Sequence, residues 1–322
     1  MLKVRVFPYV SLLSAAAVLL AACAAPAAPT PTPVPPTAAL PPTAAPLQIT
    51  DGLGNVVTLA GPAQRIVTLA PSNTELLFAL GAGGQMAGRD ELSDYPAEAQ
   101  AVASIGATYG ALNTETIVAL KPDLILAAEV NSPEQMKGLQ DLGLTVFWLA
   151  NPTDFEGLFQ NLMIVGQLTG RTAEADALVA DLRARVQAVT DKVAGVTSRP
   201  KVFYELDATD PTKPYTVGTG TFMDTLLTLA GGQNVAAGLE SAYPQISAEE
   251  LVKQNPDFIL LGDAAYGVNP DVVKARAGWE AIAAVQTGRI LAFDDNVASR
   301  PGPRLVDGLE ALAELLHPEL FN

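Results

Sequence analysis

Between Arg65 and Trp148 short apolar runs alternate with amphipathic stretches. Residues 66–70 form the first run, and Asn73 to Leu80 then places its apolar side chains at helical spacing and is closed by Gly81. Residues 124–126, Pro133 to Leu142 closed by Gly143, and residues 146–148 repeat the order. Strand, helix, strand in that rhythm predicts an α/β lobe with a mainly parallel sheet. The rhythm returns from Lys201 to Phe321, with strands at 202–204, 258–261 and 290–293, a helix from Phe222 to Ala230 ended by Gly231 and Gly232, and a closing helix from Leu305 to Leu316. Between the two blocks, Phe155 to Leu168 and Ala173 to Val193 are helical by apolar spacing, with Gly170 suited to close the first and Thr172 to cap the second. Ala175, Leu178, Val179, Leu182, Val186 and Val189 keep one face of the second helix apolar, and its 21 residues would span about 30 Å. A helix of that length acts as a strut that allows small relative motion and resists wide hinge closure. The predicted architecture is two similar α/β lobes joined by one long helix, with a ligand cleft between them.

A repeat supports the two-lobe reading. Asn113-Thr-Glu115-Thr-Ile-Val-Ala-Leu-Lys-Pro122-Asp123-Leu-Ile125-Leu126 returns 134 positions later as Ser247-Ala-Glu249-Glu-Leu-Val-Lys-Gln-Asn-Pro256-Asp257-Phe-Ile259-Leu260. A weaker echo aligns Thr74 to Gly81 with Asp224 to Gly231 at an offset of 150, so the lobes differ in loop length. Asn113 and Ser247 are good caps, which places Glu115 and Glu249 in the first turn of a helix, where a carboxylate is favoured by unpaired amides and the helix dipole. Either glutamate alone could do no more than stabilise its helix, by about 0.3–1 kcal/mol. Present once per lobe, the two suit docking to a partner with paired basic sockets through charge-assisted hydrogen bonds. Lys121-Pro122-Asp123 and Asn255-Pro256-Asp257 read as helix stops.

Composition alters the picture mainly at the N-terminus. Lys3 and Arg5 precede an apolar stretch from Val10 to Leu20, an export signal of residues 1–22 that is too short for a comfortable membrane span. It closes with Leu20-Ala21-Ala22-Cys23, which looks like a bacterial lipoprotein box; that likeness implies cleavage before Cys23 and lipid on the chain's single cysteine. An ordinary secretory signal with an incidental cysteine is the alternative. Residues 24–46 hold nine prolines among alanine and threonine. Such a segment buries no core and, at roughly 3.1 Å per residue, reaches at most about 70 Å as a tether. The remaining lengths divide into an N-terminal lobe over 47–153, connecting helices over 154–198 and a C-terminal lobe over 199–322. The net charge of −15 becomes two units more negative when Lys3 and Arg5 are removed, which argues against nucleic acid as a partner. With Cys23 committed to the anchor, no disulfide forms. A monomer is expected, lipid-anchored on the outer face of the cell membrane.

Catalytic signatures are missing. The sequence has no Gly-x-Ser-x-Gly elbow, phosphate loop or His-Glu-x-x-His, and its one histidine, His317, ends the last helix just before Pro318, where a cation favours the dipole. A catalytic triad and a multi-histidine metal site therefore lack their residues, so neither catalytic nor metal-ligating residues are assigned and no cofactor is expected beyond the lipid. A carboxylate-dependent extracytoplasmic hydrolase stays open as the rival class. Binding is the better reading, because ligands of α/β lobes sit at the carboxyl ends of strands. Candidates after strands are Pro71, Ser72 and Asn73, Tyr109, residues 205–207, Tyr243, Tyr266 and Arg300. Tyrosines there offer a flat apolar face with a hydroxyl, suited to a bulky, partly polar ligand, with loop packing or plain exposure as the alternative. Arg300 could instead pair with one of the many acids, Arg304 could simply start the last helix, and Trp148 and Trp279 read as core.

The segments 65–75, Ser93-Asp-Tyr-Pro96, 113–123, Gly231-Gly-Gln-Asn234 and Tyr243-Pro-Gln-Ile-Ser247 resemble the substrate-binding lipoproteins of ABC importers for cobalamin and iron-siderophore complexes. The resemblance covers about Arg65 to Asn322. It implies two α/β lobes on a helical backbone with limited closure, and a glutamate on each lobe, falling on Glu115 and Glu249, that engages arginines of a permease powered by an ATPase. Cobalamin binders of the family tend to line the cleft with tryptophan and tyrosine; the matching positions here hold Tyr109, Tyr243 and Leu92, the last in place of an aromatic. Siderophore binders often use arginine, which Arg300 or Arg89 could supply. The resemblance thus implies a metal chelate as ligand, with a corrinoid ahead of a ferric siderophore and haem behind both.

Overall fold

The computed structural model describes residues 46–321; the export signal, the lipidation of Cys23 and all but the last residue of the tether lie outside the described residues. A hairpin of β1 (Leu47–Thr50) and β2 (Val56–Leu59) comes first. Its turn is tied by Asp51 Oδ1, which accepts from the amides of Leu53 and Asn55 at 2.9 and 2.8 Å.

The N-terminal lobe follows as β3 (Ile66–Thr68), α1 (Pro71–Ala79), β4 (Met86–Gly88), α2 (Thr114–Ala119), β5 (Leu124–Ala128), α3 (Pro133–Asp141) and β6 (Val146–Leu149). Two connecting helices, α4 (Phe155–Thr169) and α5 (Thr172–Val193), lead to the C-terminal lobe. That lobe contains β7 (Lys201–Glu205), α6 (Phe222–Leu229), β8 (Gln233–Asn234), α7 (Ala248–Gln254), β9 (Phe258–Leu261), α8 (Pro270–Lys274), α9 (Ala283–Thr287), β10 (Ile290–Ala292), α10 (Asn296–Ser299) and α11 (Leu305–Leu316). The sheets run β4-β3-β5-β6 and β8-β7-β9-β10, and every pairing in them is parallel. Each lobe therefore places its second strand outside its first and its third and fourth on the other side. The lobes share one topology, as the repeat implied.

Several local details depart from the sequence reading. Helix α1 starts at Pro71, two residues early, because proline's fixed φ and missing N–H fit a first helical position. Thr172 lies inside α5 and Arg171 holds the cap position without a side-chain bond. His317 is buried, and its Nε2 lies 3.2 Å from the Gly231 carbonyl oxygen, so it fastens α11 to the end of α6. Trp279 is core, whereas Trp148 is half-buried against Gly52, where a Cβ would come within 2.7 Å of the ring.

The repeated segment proves to be a structural staple as well as a helix start. Asn113 Oδ1 accepts from the Thr116 amide and Ser247 Oγ from the Glu250 amide, each at 3.1 Å. Lys121 and Asn255, at the same repeat position, have φ of 48° and 49° and turn the chain out of the helix. Asp123 then accepts from the amides of Gln64 and Arg65 at 2.7 and 2.9 Å, and Asp257 from that of Lys201 at 2.8 Å. The Pro-Asp pair thus holds the start of the central strand in each lobe.

One apolar cluster joins the lobes. It includes Leu76 and Leu77 of α1, Leu158 and Leu162 of α4, Leu182 of α5, Leu226 of α6 and Leu309 of α11. The opposite sheet faces carry separate clusters, with Val67, Ile117 and Ile125 in one lobe and Phe203, Ile259 and Trp279 in the other. Both sheets are covered on two sides, the usual condition of a parallel sheet. On α5, Arg185 reaches Asp307 at 2.6 Å and Glu310 at 2.5 Å on α11, tying the strut to the second lobe.

Candidate functional site

Helices α1 and α6 follow the first strand of their lobes, and residues from both of their N-termini line a cavity of about 630 Å³ between the lobes. Pro71 and Ser72 come from α1, Thr221 and Phe222 from the start of α6, Glu129 from the end of β5, and Tyr243, Ser299 and Arg300 from the second lobe. Residues 151–153, just before α4, close one wall. The site lies at the carboxyl ends of the strands, where parallel sheets present helix N-termini and loops to a ligand.

Of the ligand-contact candidates, Pro71, Ser72, Tyr243 and Arg300 line this cavity, and Tyr109 and Tyr266 do not. Tyr109 stands on the surface with its hydroxyl donating to Glu91 at 3.1 Å, and Tyr266 is 89% exposed on a 3₁₀ turn after β9. Asn73 is buried and donates to the Leu126 carbonyl at 3.1 Å. Glu205 is also buried, in a bidentate pair with Arg276. Arg89 spends its guanidinium on the carbonyls of Ala99 and Asp90, each at 2.9 Å. These three are structural. Their positions after strands matched the functional pattern, and nothing in the sequence separates a buried partner from a ligand contact.

Among the described residues, five tyrosines are exposed (95, 109, 215, 243 and 266), and all stand on segments that follow the carboxyl ends of strands. The buried one, Tyr204, donates to Asp295 at 2.5 Å. In the cavity itself partial burial of Tyr243, then the carboxylates of Glu129 and Asp295, hold its phenol above the usual range. It is therefore a neutral hydroxyl at physiological pH. Glu129 is exposed and has no hydrogen bond or ion pair among the described residues.

Arg300 is not a free cation. Its Nη1 lies 2.6 Å from Asp94 Oδ1 and 3.4 Å from Glu75 Oε1. Arg304 holds the same Glu75 carboxylate through two bonds of 2.8 and 2.5 Å, and its guanidinium lies 4.0 Å from the Tyr95 ring centre. Burial works to raise the Asp94 carboxyl, but Arg300 outweighs it and holds the group below the usual carboxylate range. Glu75 is 3% exposed. Segment 93–96 is set in place by a hydroxyl chain, Thr68 to Thr74 at 2.7 Å and Thr74 to Ser93 at 2.8 Å, with Ser93 also donating to buried Asp90. Sequence reading had singled out both segments without seeing that their charges meet.

Glu115 and Glu249 are exposed, in the first turns of α2 and α7, with no partner among the described residues. Because a crossover helix in a parallel sheet runs back against the strands, each lies toward the carboxyl edge of its sheet. Their surroundings differ from that of Glu250, which is drawn back to Lys253 at 3.1 Å and Gln254 at 2.8 Å. No helix among the described residues is long and apolar enough to cross a membrane.

Comparison with known proteins agrees with this architecture. The family model for periplasmic binding proteins matches residues 66–297. An ABC transporter substrate-binding lipoprotein of Bacillus subtilis, YvrC, is 32% identical over 280 residues, 86% of this chain and 87% of that protein. A cobalamin-binding protein of Halobacterium salinarum is 32% identical over 279 residues, 84% of this chain and 74% of that one. The solved structure of the periplasmic haem-binding protein RhuT from Roseiflexus, in apo form, superposes with a TM-score of 0.72 at 28% identity, covering 80% of this chain and 99% of that one. With two α/β lobes on a helical connection, a cleft at their strand ends and these relatives, the chain belongs to the periplasmic binding protein family, as an extracytoplasmic substrate-binding component of an ABC importer.

Proposed function

We propose that the cleft captures a large metal chelate, a corrinoid ahead of a ferric siderophore, and delivers it to a permease that docks on Glu115 and Glu249 while lipid on Cys23 holds the chain at the membrane. The observation that carries the ligand class is the cavity between the lobes, whose lining has one tyrosine, Tyr243, and whose charged groups are one free carboxylate, Glu129, and one arginine already engaged by acids. The aromatic faces of Tyr243 and Phe222 and the amides at two helix starts suit a broad ring with hydrogen-bonding amide arms. The cobalamin-binding relative supports the same choice. Haem ranks behind because, among the described residues, no unengaged cation lines the cleft for its carboxylates.

The ligand reading is tested by incubating the purified protein with a corrinoid, a ferric hydroxamate, a ferric catecholate or haem and desalting. Retention of corrinoid absorbance at one equivalent is expected, and retention of haem alone would overturn it. The docking reading is tested separately with the Glu115→Ala, Glu249→Ala double variant and the permease in vesicles. Ligand binding should be unchanged and uptake lost; uptake at the wild-type rate would remove these residues from the docking surface.

A further inference from the structure

Segments 71–75 and 93–96 of the N-terminal lobe meet 299–304, which lies more than two hundred residues further along the chain. Arg300 lines the cavity, but neither of its acidic partners does. Asp94 holds it by the shorter contact, 2.6 Å, while Glu75 is already satisfied by the two bonds from Arg304 and takes Arg300 at 3.4 Å. The guanidinium is thus engaged by carboxylates of the opposite lobe that do not themselves line the cavity. The remaining ionisable groups on the cavity wall are Glu129 and the Tyr243 phenol.

We propose that Asp94 and Glu75 are specificity-determining residues that never touch the ligand: by pairing with Arg300 they withdraw the one cation lining the cleft among the described residues, so that the site rejects anionic chelates and keeps neutral ones. The inference rests on the reading of the cleft as a chelate site. It differs from simple structural bracing, because a brace would affect all ligands alike, whereas a withdrawn cation affects them according to charge.

The test compares cyanocobalamin, a chelate without net charge, with haem, which carries two carboxylates, on wild type, Asp94→Asn and Asp94→Asn with Arg300→Gln. Asp94 is exposed, with 59% of its side chain open to solvent, so its replacement leaves the buried Glu75 and Arg304 pair in place. In Asp94→Asn the ratio of haem to cyanocobalamin affinity should rise about tenfold at low salt, shrink in high salt, and return to the wild-type value when Arg300 is also replaced. Glu75→Gln, if it folds, should move the ratio in the same direction. An unchanged ratio in folded Asp94→Asn, or a gain that survives loss of Arg300, overturns the inference and leaves the chelate reading standing. Failure of wild type to bind either chelate or a ferric siderophore overturns both.

Discussion

Asp263 shows what a single residue can hide from sequence. It follows β9, where a ligand contact could lie, yet it is buried, with Oδ2 accepting from the Ala208 amide at 3.2 Å and Oδ1 left without a partner. Burial, then the nearby Glu205 carboxylate, pushes its carboxyl up to about 6 from 3.8. The folded protein therefore holds this proton more tightly than the unfolded chain does. The associated stability is fully present below about pH 4 and is lost as pH rises through 6, on the order of 2–3 kcal/mol by pH 8. Asp263→Asn should remove that loss, so the difference in unfolding free energy between variant and wild type should grow in the variant's favour from pH 4 to pH 8. A difference that stays flat across that range in denaturant titrations would show that Asp263 ionises freely in the fold. Glu75 gives the opposite lesson. Its removal in Glu75→Ala leaves the largely buried Arg304 guanidinium without its carboxylate, while Arg300 keeps Asp94, and a loss of about 3 kcal/mol is expected in the same measurement.

At the scale of elements, the repeat was legible because capping residues, a helix stop and a buried strand are all local signals. What it does beyond that was not, because the amides that donate to Asp123 lie 58 and 59 residues away. The two copies also allow an internal comparison. Lys121 adopts left-handed backbone with no compensating side-chain bond, so Lys121→Gly should raise stability by about 0.5–1 kcal/mol. Asn255 adopts the same conformation, but its Oδ1 accepts from the Ala283 amide at 2.8 Å, and Asn255→Gly should lower stability by about 1 kcal/mol. Chemical-denaturation midpoints of the two variants should shift in opposite directions; shifts of the same sign would refute the distinction. The β1–β2 hairpin escaped the periodicity because its strands are four residues each and half-exposed, too short for alternation to stand out. The long connecting helix was plain, since its apolar face persists through several turns.

The whole molecule is less divided than two repeated lobes suggest. A single apolar cluster runs through α1, the connecting helices, α6 and α11, so neither lobe has its complete core alone. Leu309→Ala, in that shared layer, should cost about 2–5 kcal/mol and lower the unfolding midpoint reported from both lobes together. Single-tryptophan variants retaining either Trp148 or Trp279 provide the two reports, and separate transitions would show that the lobes unfold independently. Local sequence determined the α/β class, the duplication, the strut and the exposed glutamate at the start of a helix in each lobe, because periodicity, caps and turn residues act within a few positions of themselves. It also named most of the segments that surround the cleft. Tertiary structure alone decided which of their side chains reach the cavity, that Arg300 is taken by Asp94 and Glu75, and that the lobes share a core. Those outcomes depend on contacts distant in the chain, more than two hundred residues for Arg300 and its acids, where charge and apolar character identify possible partners but only packing selects among them.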